Sequence, residues 1–155
     1  MSLLLALGRM LFVILFIVSG LSKLFDIATT ASSISAHVLT PYASYLAPVT
    51  PYLTQIESFT GLPTPQLLAI LAGVVEVIGG LLIAFDLGSR WVALVLIVYI
   101  AVATATYHDF WNMTGGDRLN NMIHAMKNLS IIGALVMIFA GGLRLLPPAL
   151  RHDDV

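Results

Sequence analysis

The sequence predicts an all-α integral membrane protein: a four-helix bundle in a single domain over residues 1–155, with an interfacial helical loop between spans one and two. The first observation is composition. Hydrophobic residues make up 59% of the chain and charged residues 10%, whereas soluble domains have about 45–50% and about 25%. So few charged side chains cannot cover the surface of a small water-soluble protein, whereas lipid needs no such cover.

The second observation is a set of four long apolar segments. A helix needs about 20 residues to cross the hydrocarbon core of a bilayer, and the predicted spans are about 3–25, 65–85, 90–107 and 122–146. Pro65 suits the first turn of the second span, Gly88 and Ser89 separate the second from the third, and Pro147–Pro148 ends the fourth. The first segment has neither the basic start nor the cleavage site of a signal peptide, so we expect a retained span.

The long connection between spans one and two, about residues 27–63, has a helical pattern of its own. Apolar residues recur in steps of three and four at Leu39, Tyr42, Leu46, Val49, Leu53 and Ile56, with Pro48 and Pro51 interrupting the series. The pattern predicts short helices that lie at the membrane surface or cap the bundle. A lid over a cofactor is the alternative interpretation.

Basic residues give the orientation. Four spans place both chain ends on one side, which then carries Arg9, Arg90, Arg144 and Arg151, while the opposite side carries Lys23, Arg118 and Lys127. Because cytoplasmic segments are enriched in Lys and Arg, this distribution favours cytoplasmic N and C termini.

Glu76, near the middle of the second span, is the most informative polar residue. A carboxylate at that depth costs several kcal/mol, so it must face protein or water and not lipid. Gly73 and Gly80 share its helical face and would let a neighbouring helix approach. We expect a buried ion pair or proton site made by Glu76 with Arg9 or Lys23, and depth in the membrane favours Arg9.

A second polar cluster is predicted at the ends of spans three and four. The spacing groups candidate ligand-binding residues there: Thr104, His108, Trp111, His124, Lys127 and Asn128. The set suits an anionic or quinone-like head group, with polar donors above an apolar slot. Although His and Asp can bind metals, no metal motif has this spacing and Lys127 would repel a cation, so no metal site is predicted.

The composition also excludes several kinds of chemistry. The chain has no Cys, which excludes thiolate catalysis, disulfide exchange and Cys-ligated clusters, and no catalytic nucleophile–base set is evident. The net charge of −1 gives no reason to expect a nucleic-acid partner. We therefore expect no catalytic activity from this chain alone.

A series of short motifs resembles the DoxX family along nearly the whole chain. The motifs are GR at 8–9, SGLSKL at 19–24, GLP at 61–63, EVIGGL at 76–81, GSRWVA at 88–93, HDFW at 108–111, MKNL at 126–129, and Gly133. The first loop departs from the family pattern because it is about twenty residues longer than usual. The resemblance implies a multi-pass protein of the bacterial inner membrane, in a family named for a subunit associated with a quinol oxidase.

Three hypotheses for the function remain open. The first is an accessory or scaffold subunit for a membrane oxidoreductase, with quinone as the candidate cofactor. The second is a small proton-coupled carrier or channel that uses Glu76, for which four helices enclose little space unless the protein forms a homo-oligomer. The third is a structural or chaperone-like membrane protein that docks another protein through its Gly-rich faces and long loop.

Overall fold

The computed structural model describes residues 3–143. Seven α-helices and no strand occur in this part of the chain: α1 (Leu3–Phe25), α2 (Ile27–Ile34), α3 (Ala43–Leu46), α4 (Thr50–Thr60), α5 (Thr64–Ala84), α6 (Ser89–Tyr107) and α7 (Gly115–Leu143). A π-helical turn, Ser35–Leu39, extends α2, and a 3₁₀ turn, Phe110–Asn112, follows α6. The predicted end of the fourth span at Pro147–Pro148, and the basic residues Arg144 and Arg151, lie outside the described residues.

Four of these helices, α1, α5, α6 and α7, are long and apolar enough to cross a membrane. The predicted all-α class with four spanning helices is confirmed. The bounds of α1, α5 and α6 lie within one residue of the predicted spans, but α7 begins at Gly115, not near Met122. Hydropathy detects only the apolar part of a helix, and the first turns of α7 are rich in Asn, Asp and Arg.

The spanning helices associate mainly as two pairs. α1 runs antiparallel to α5 along most of its length, and α6 packs in the same way on α7, while α5 and α6 make a smaller contact. The shared core contains Val13 and Phe16 of α1, Ile83 of α5, Leu96 of α6 and Leu135 of α7, all buried.

The connection between α1 and α5 is helical, as predicted, and its two halves differ in packing. The first half lies against the bundle, where Ala31 and Ile34 of α2 form a small core with Ala69 of α5. The second half, α3 and α4, contains no buried residue. Its last turns are attached to the bundle by Glu57, whose carboxylate accepts the backbone N–H of Thr64 at the start of α5. The Glu57 side chain thus satisfies one free N–H of that helix.

The turn between α5 and α6 is set by two residues in the left-handed region. Asp86 has a φ of 59° and Gly88 a φ of 61°, a conformation that Gly adopts freely and Asp tolerates. The hydroxyl of Ser89 donates to Oδ1 of Asp86 at 2.8 Å. The tight reversal keeps the Asp86 carboxylate beside the start of α1.

Candidate functional site

A buried polar network lies where α1, α5 and α6 meet. The Lys23 ammonium lies 2.8 Å from Oε2 and 3.1 Å from Oε1 of Glu76. The Tyr99 hydroxyl donates to Oε1 of the same carboxylate at 2.7 Å, and Lys23 also donates to Oγ of Ser19 at 2.6 Å. Glu76 is 5% exposed, so a carboxylate near the middle of a span receives charge and hydrogen bonds from two neighbouring helices.

Two glycines bring Lys23 to Glu76. A Cβ atom added to Gly20 would lie 2.7 Å from the carbonyl oxygen of Gly73, and one added to Gly73 would lie 2.7 Å from the Leu24 side chain. The first contact is with a backbone atom that cannot move aside cheaply and the second requires the Leu24 side chain to shift, so Gly at both positions permits this close approach of α1 to α5. Lys23 and Glu76 each follow one of these glycines by three residues, which places both side chains at the crossing.

Arg9 belongs to a different ion pair. Its guanidinium binds Asp86, beyond the end of α5, and the structure does not bring it to Glu76. The expectation that depth would favour Arg9 fails because the Gly20–Gly73 crossing fixes how the antiparallel helices align. Arg9 lies about three turns from that crossing towards the start of α1, which places it at the level of Asp86, just beyond the end of α5.

The Arg9–Asp86 pair lies at the end of the spans. The Arg9 guanidinium beside Asp86 holds the pKa of that carboxyl below its usual range. The Asp86 side chain is 35% exposed and that of Arg9 is 13% exposed. The pair therefore joins α1 to the α5–α6 turn at a partly hydrated level, well apart from the buried network.

The predicted outer cluster is only partly assembled. Asn128 donates to the Thr104 hydroxyl at 2.9 Å, and the rings of His108 and His124 stack with centroids 5.1 Å apart. Lys127 and Trp111 are exposed, and within residues 3–143 no hydrogen bond, ion pair or ring contact joins either of them to this group. Adjacent positions on a helix point about 100° apart, so Asn128 faces α6 while Lys127 faces away.

Several residues of the site were not predicted from the sequence. Tyr99 and Ser19 complete the buried network, and Asn121 holds His108 through an Oδ1–Nδ1 distance of 3.0 Å. A phenol in the middle of the third span was a usable signal, because buried Tyr hydroxyls need partners. Among residues 3–143, no three His, Asp or Glu side chains come close enough to hold a metal ion.

A cavity of about 880 Å³ joins the buried network to part of the outer cluster. Its walls come from α1, α2, α5, α6 and α7, and most of them are apolar side chains. The polar lining residues are Ser19, Lys23, Thr29, Thr30, Ser33, Glu76, Tyr99, Thr106, Tyr107, His108 and Asn128. The cavity therefore lies in the half of the bundle where α1 and α6 end, with Glu76 at one wall and Asn128 at another.

The first half of the long connection forms one side of this cavity. Thr29, Thr30 and Ser33 of α2 line it, together with Val38 of the π-helical turn. His37 of the same turn stacks on Tyr107 at the end of α6, with ring centroids 4.8 Å apart. This stack joins the π-helical turn to the end of α6.

Comparisons with known proteins agree with the motifs and the fold. The model of the DoxX family matches residues 4–109, which extend from the second residue of α1 past the end of α6 and include the whole Lys23–Glu76–Tyr99 network. The inner membrane protein YphA of Escherichia coli (strain K12) is 35% identical over 99 residues, which cover 64% of this chain and 68% of that protein. No solved structure matches.

Proposed function

The chain belongs to the DoxX family of integral inner-membrane proteins, and from that premise we propose that its cavity binds the head group of a quinone-type molecule dissolved in the membrane. In this proposal the protein is an accessory or scaffold subunit that holds the ligand for a membrane oxidoreductase. In this proposal the partner carries out the electron transfer, and the chain, which has no Cys, contributes no thiol redox chemistry.

One observation carries the proposal: a charged and hydrogen-bonded network forms part of the wall of a cavity that is otherwise mostly apolar. Such a cavity, with a few convergent polar groups, is typical of small-molecule sites. Its volume of about 880 Å³ lies within the usual range of about 300–1,000 Å³. A quinone ring fits the apolar walls, and its oxygen atoms fit the polar groups.

The polar residues retain hydrogen-bonding capacity for such a ligand. Ser19 Oγ accepts from Lys23 and still has its own hydrogen to donate. Tyr99 donates to Glu76, and its oxygen can accept from a quinol hydroxyl. At the other wall, Asn128 uses one N–H on Thr104 and keeps its second N–H and its amide oxygen. The cavity therefore offers both hydrogen-bond donors for a quinone carbonyl and acceptors for a quinol hydroxyl.

Access from the bilayer also supports a membrane-dissolved ligand. Five apolar residues line the cavity and are also exposed on the outside of the spanning helices: Leu15, Leu71, Val95, Val98 and Val102. A ligand with a long hydrocarbon tail could thus leave the tail in lipid while its head group occupies the cavity.

The test is to purify the protein in mild detergent, extract its lipophilic ligands and quantify quinones by mass spectrometry. We expect about one quinone per protein in the wild type and a large loss in Tyr99→Phe. Tyr52→Phe is the matched control, because it removes a hydroxyl from an exposed Tyr far from the cavity lining. Quinone at only the level of an unrelated membrane protein would contradict the proposal.

The carrier hypothesis has a separate test at Glu76. Both oxygens of Glu76 are already engaged by Lys23 and Tyr99, which favours a fixed role for the carboxylate over a mobile one. Proton flux into proteoliposomes that is present in the wild type and absent in Glu76→Gln would support the carrier instead.

A further inference from the structure

The segment that contains α3 and α4 exposes a series of large apolar side chains. We call this the outer face; it consists of Tyr42, Tyr45, Val49, Tyr52, Ile56 and Phe59. Tyr45 is 80% exposed, Tyr52 66% and Phe59 92%. Large apolar side chains this exposed, and grouped on one side, mark a surface that has a partner.

Helical periodicity divides α4 into three faces. At about 100° per residue, Tyr52, Ile56 and Phe59 fall together on the outer face. Leu53 and Glu57 lie about a third of a turn away, and both are half-buried towards the bundle. Thr50 and Thr54 lie opposite the outer face, exposed, with their hydroxyls bonded to backbone carbonyls of the preceding turn. The helix thus has an apolar, a bundle-facing and a water-compatible face.

The apolar residues that recur in steps of three and four along this connection do not all lie on the outer face. Three residues of that series are half-buried: Leu39, Leu46 and Leu53. Two aromatic residues outside the series, Tyr45 and Phe59, are exposed instead. The outward side is consequently richer in aromatic residues than the sequence pattern indicates.

The position of α4 indicates which partner fits. Only three residues separate α4 from α5, and the bond from Glu57 to the Thr64 N–H fixes the last turns of α4 at the end of that span. Phe25, the last residue of α1, is also exposed, and because α1 runs antiparallel to α5 it lies towards the side on which α4 joins α5. The outer face is therefore next to the lipid-facing surface of the spanning helices, at the boundary of the bilayer.

Charge points to the same partner. Residues 27–63 contain no Lys, Arg or Asp, and their single Glu, Glu57, is turned to the bundle and used on Thr64. A protein-docking surface usually has a polar or charged rim, and a surface that recognises anionic lipids has basic residues. An uncharged face with three Tyr is instead typical of the zone between lipid head groups and acyl chains, where aromatic rings with polar tips are favoured.

We propose that the outer face is inserted in the head-group and acyl-chain boundary of the membrane that the bundle spans. The long connection is then a lateral anchor attached by apolar and aromatic contact, without selection for anionic lipids. The proposal is independent of whether the cavity binds a quinone.

The absence of native Cys allows a direct test. A nitroxide is attached to a single Cys introduced as Tyr52→Cys, or as the matched control Thr54→Cys on the opposite side of the same helix. The purified full chain is reconstituted in phosphatidylcholine vesicles, and collision of the label with oxygen, which concentrates in lipid, is compared with collision with a water-soluble nickel complex.

We expect the label at position 52 to collide mainly with oxygen and the label at position 54 mainly with the nickel complex. Phe59→Cys provides a second outward position if Tyr52→Cys impairs folding, which gel filtration reports. Equal access of the nickel complex to positions 52 and 54 would overturn the proposal and leave the outer face for a partner protein. A label at position 52 that leaves water only when anionic lipid is added would also overturn it, because the anchor would then depend on charge.

Discussion

The ammonium of Lys23 lies 2.8 Å from a carboxylate oxygen of Glu76, on the helix next to its own. The Lys23 side chain is 25% exposed and that of Glu76 is 7% exposed, so the pair is largely withdrawn from both water and lipid. A buried pair of this kind is costly to break, because removing one partner leaves the other charge uncompensated. It therefore fixes the alignment of α1 on α5 and, through Tyr99, the position of α6.

Lys23→Met is expected to destabilise the folded protein by about 3–5 kcal/mol, because it leaves Glu76 as an unpaired buried charge. Glu76→Gln alone leaves Lys23 without its partner but keeps an acceptor for Tyr99. The double variant should lose clearly less than the sum of the two single variants. The measurement is a double-mutant cycle on the unfolding free energy in detergent.

Additive losses in that cycle would mean that the two residues act independently. Arg9→Met combined with Glu76→Gln is the matched control, since Arg9 pairs with Asp86, and we expect additivity there. Strong coupling between Arg9 and Glu76 would contradict the alignment of α1 and α5 described above.

Gly20→Ala is expected to destabilise the protein by about 1–3 kcal/mol, because the added Cβ would lie 2.7 Å from a backbone oxygen that cannot move aside cheaply. Gly133→Ala is the control: nothing lies within 4 Å of its added Cβ. It should be neutral, or stabilising by up to about 1 kcal/mol from helix propensity. Thermal unfolding in the same detergent compares them, and an equal effect of the two changes would contradict a close contact at Gly20.

The four spanning helices were predictable because composition and apolar run length reflect the solvent in which a helix is stable. The start of α7 was harder to predict. Its first turns are polar and precede the apolar run, so hydropathy does not reveal that the helix begins at Gly115. The inward position of Leu46 and the outward position of Tyr45 likewise depend on where the bundle lies.

The partner of Glu76 could not be chosen from the sequence, because the depth of a residue in one helix does not determine how two helices align. That alignment comes from the contact of Gly20 with Gly73, which only the folded chain reveals. The same limit applies to Lys127 and Asn128: neighbours in sequence point in different directions, and the facing helix decides which one is inside.

Acidification is expected to weaken the contact between α1 and the α5–α6 turn. Because Arg9 lowers the pKa of Asp86 in the folded protein, the pair contributes stability at neutral pH. That contribution is lost as pH falls through the lowered folded pKa, which lies below the ordinary value of 3.8. The wild type should be more stable than Asp86→Asn at pH 7, with the difference shrinking towards pH 3. A difference that stays constant over this range would contradict the pairing.

Glu57→Ala is expected to destabilise the start of α5, because the first N–H of that helix loses its acceptor. Gln55→Ala on the same helix is the control, since Gln55 is exposed and its side chain makes no hydrogen bond within the described part of the chain. Hydrogen exchange at the start of α5 should accelerate only in Glu57→Ala. Unchanged exchange there would show that the carboxylate does not cap α5 in solution.

Asn128→Ala is expected to weaken the binding of a short-chain quinol, whereas Lys127→Ala is expected to leave it unchanged. Asn128 lines the cavity, and Lys127 is exposed on another side of α7. Loss of one hydrogen bond is worth about 0.5–1.5 kcal/mol, which corresponds to an increase in Kd of about two- to tenfold. Titration of the purified variants, followed by quenching of their intrinsic fluorescence, measures the difference. A larger effect of Lys127→Ala than of Asn128→Ala would contradict this prediction and indicate that the head group binds at the membrane surface and not in the cavity.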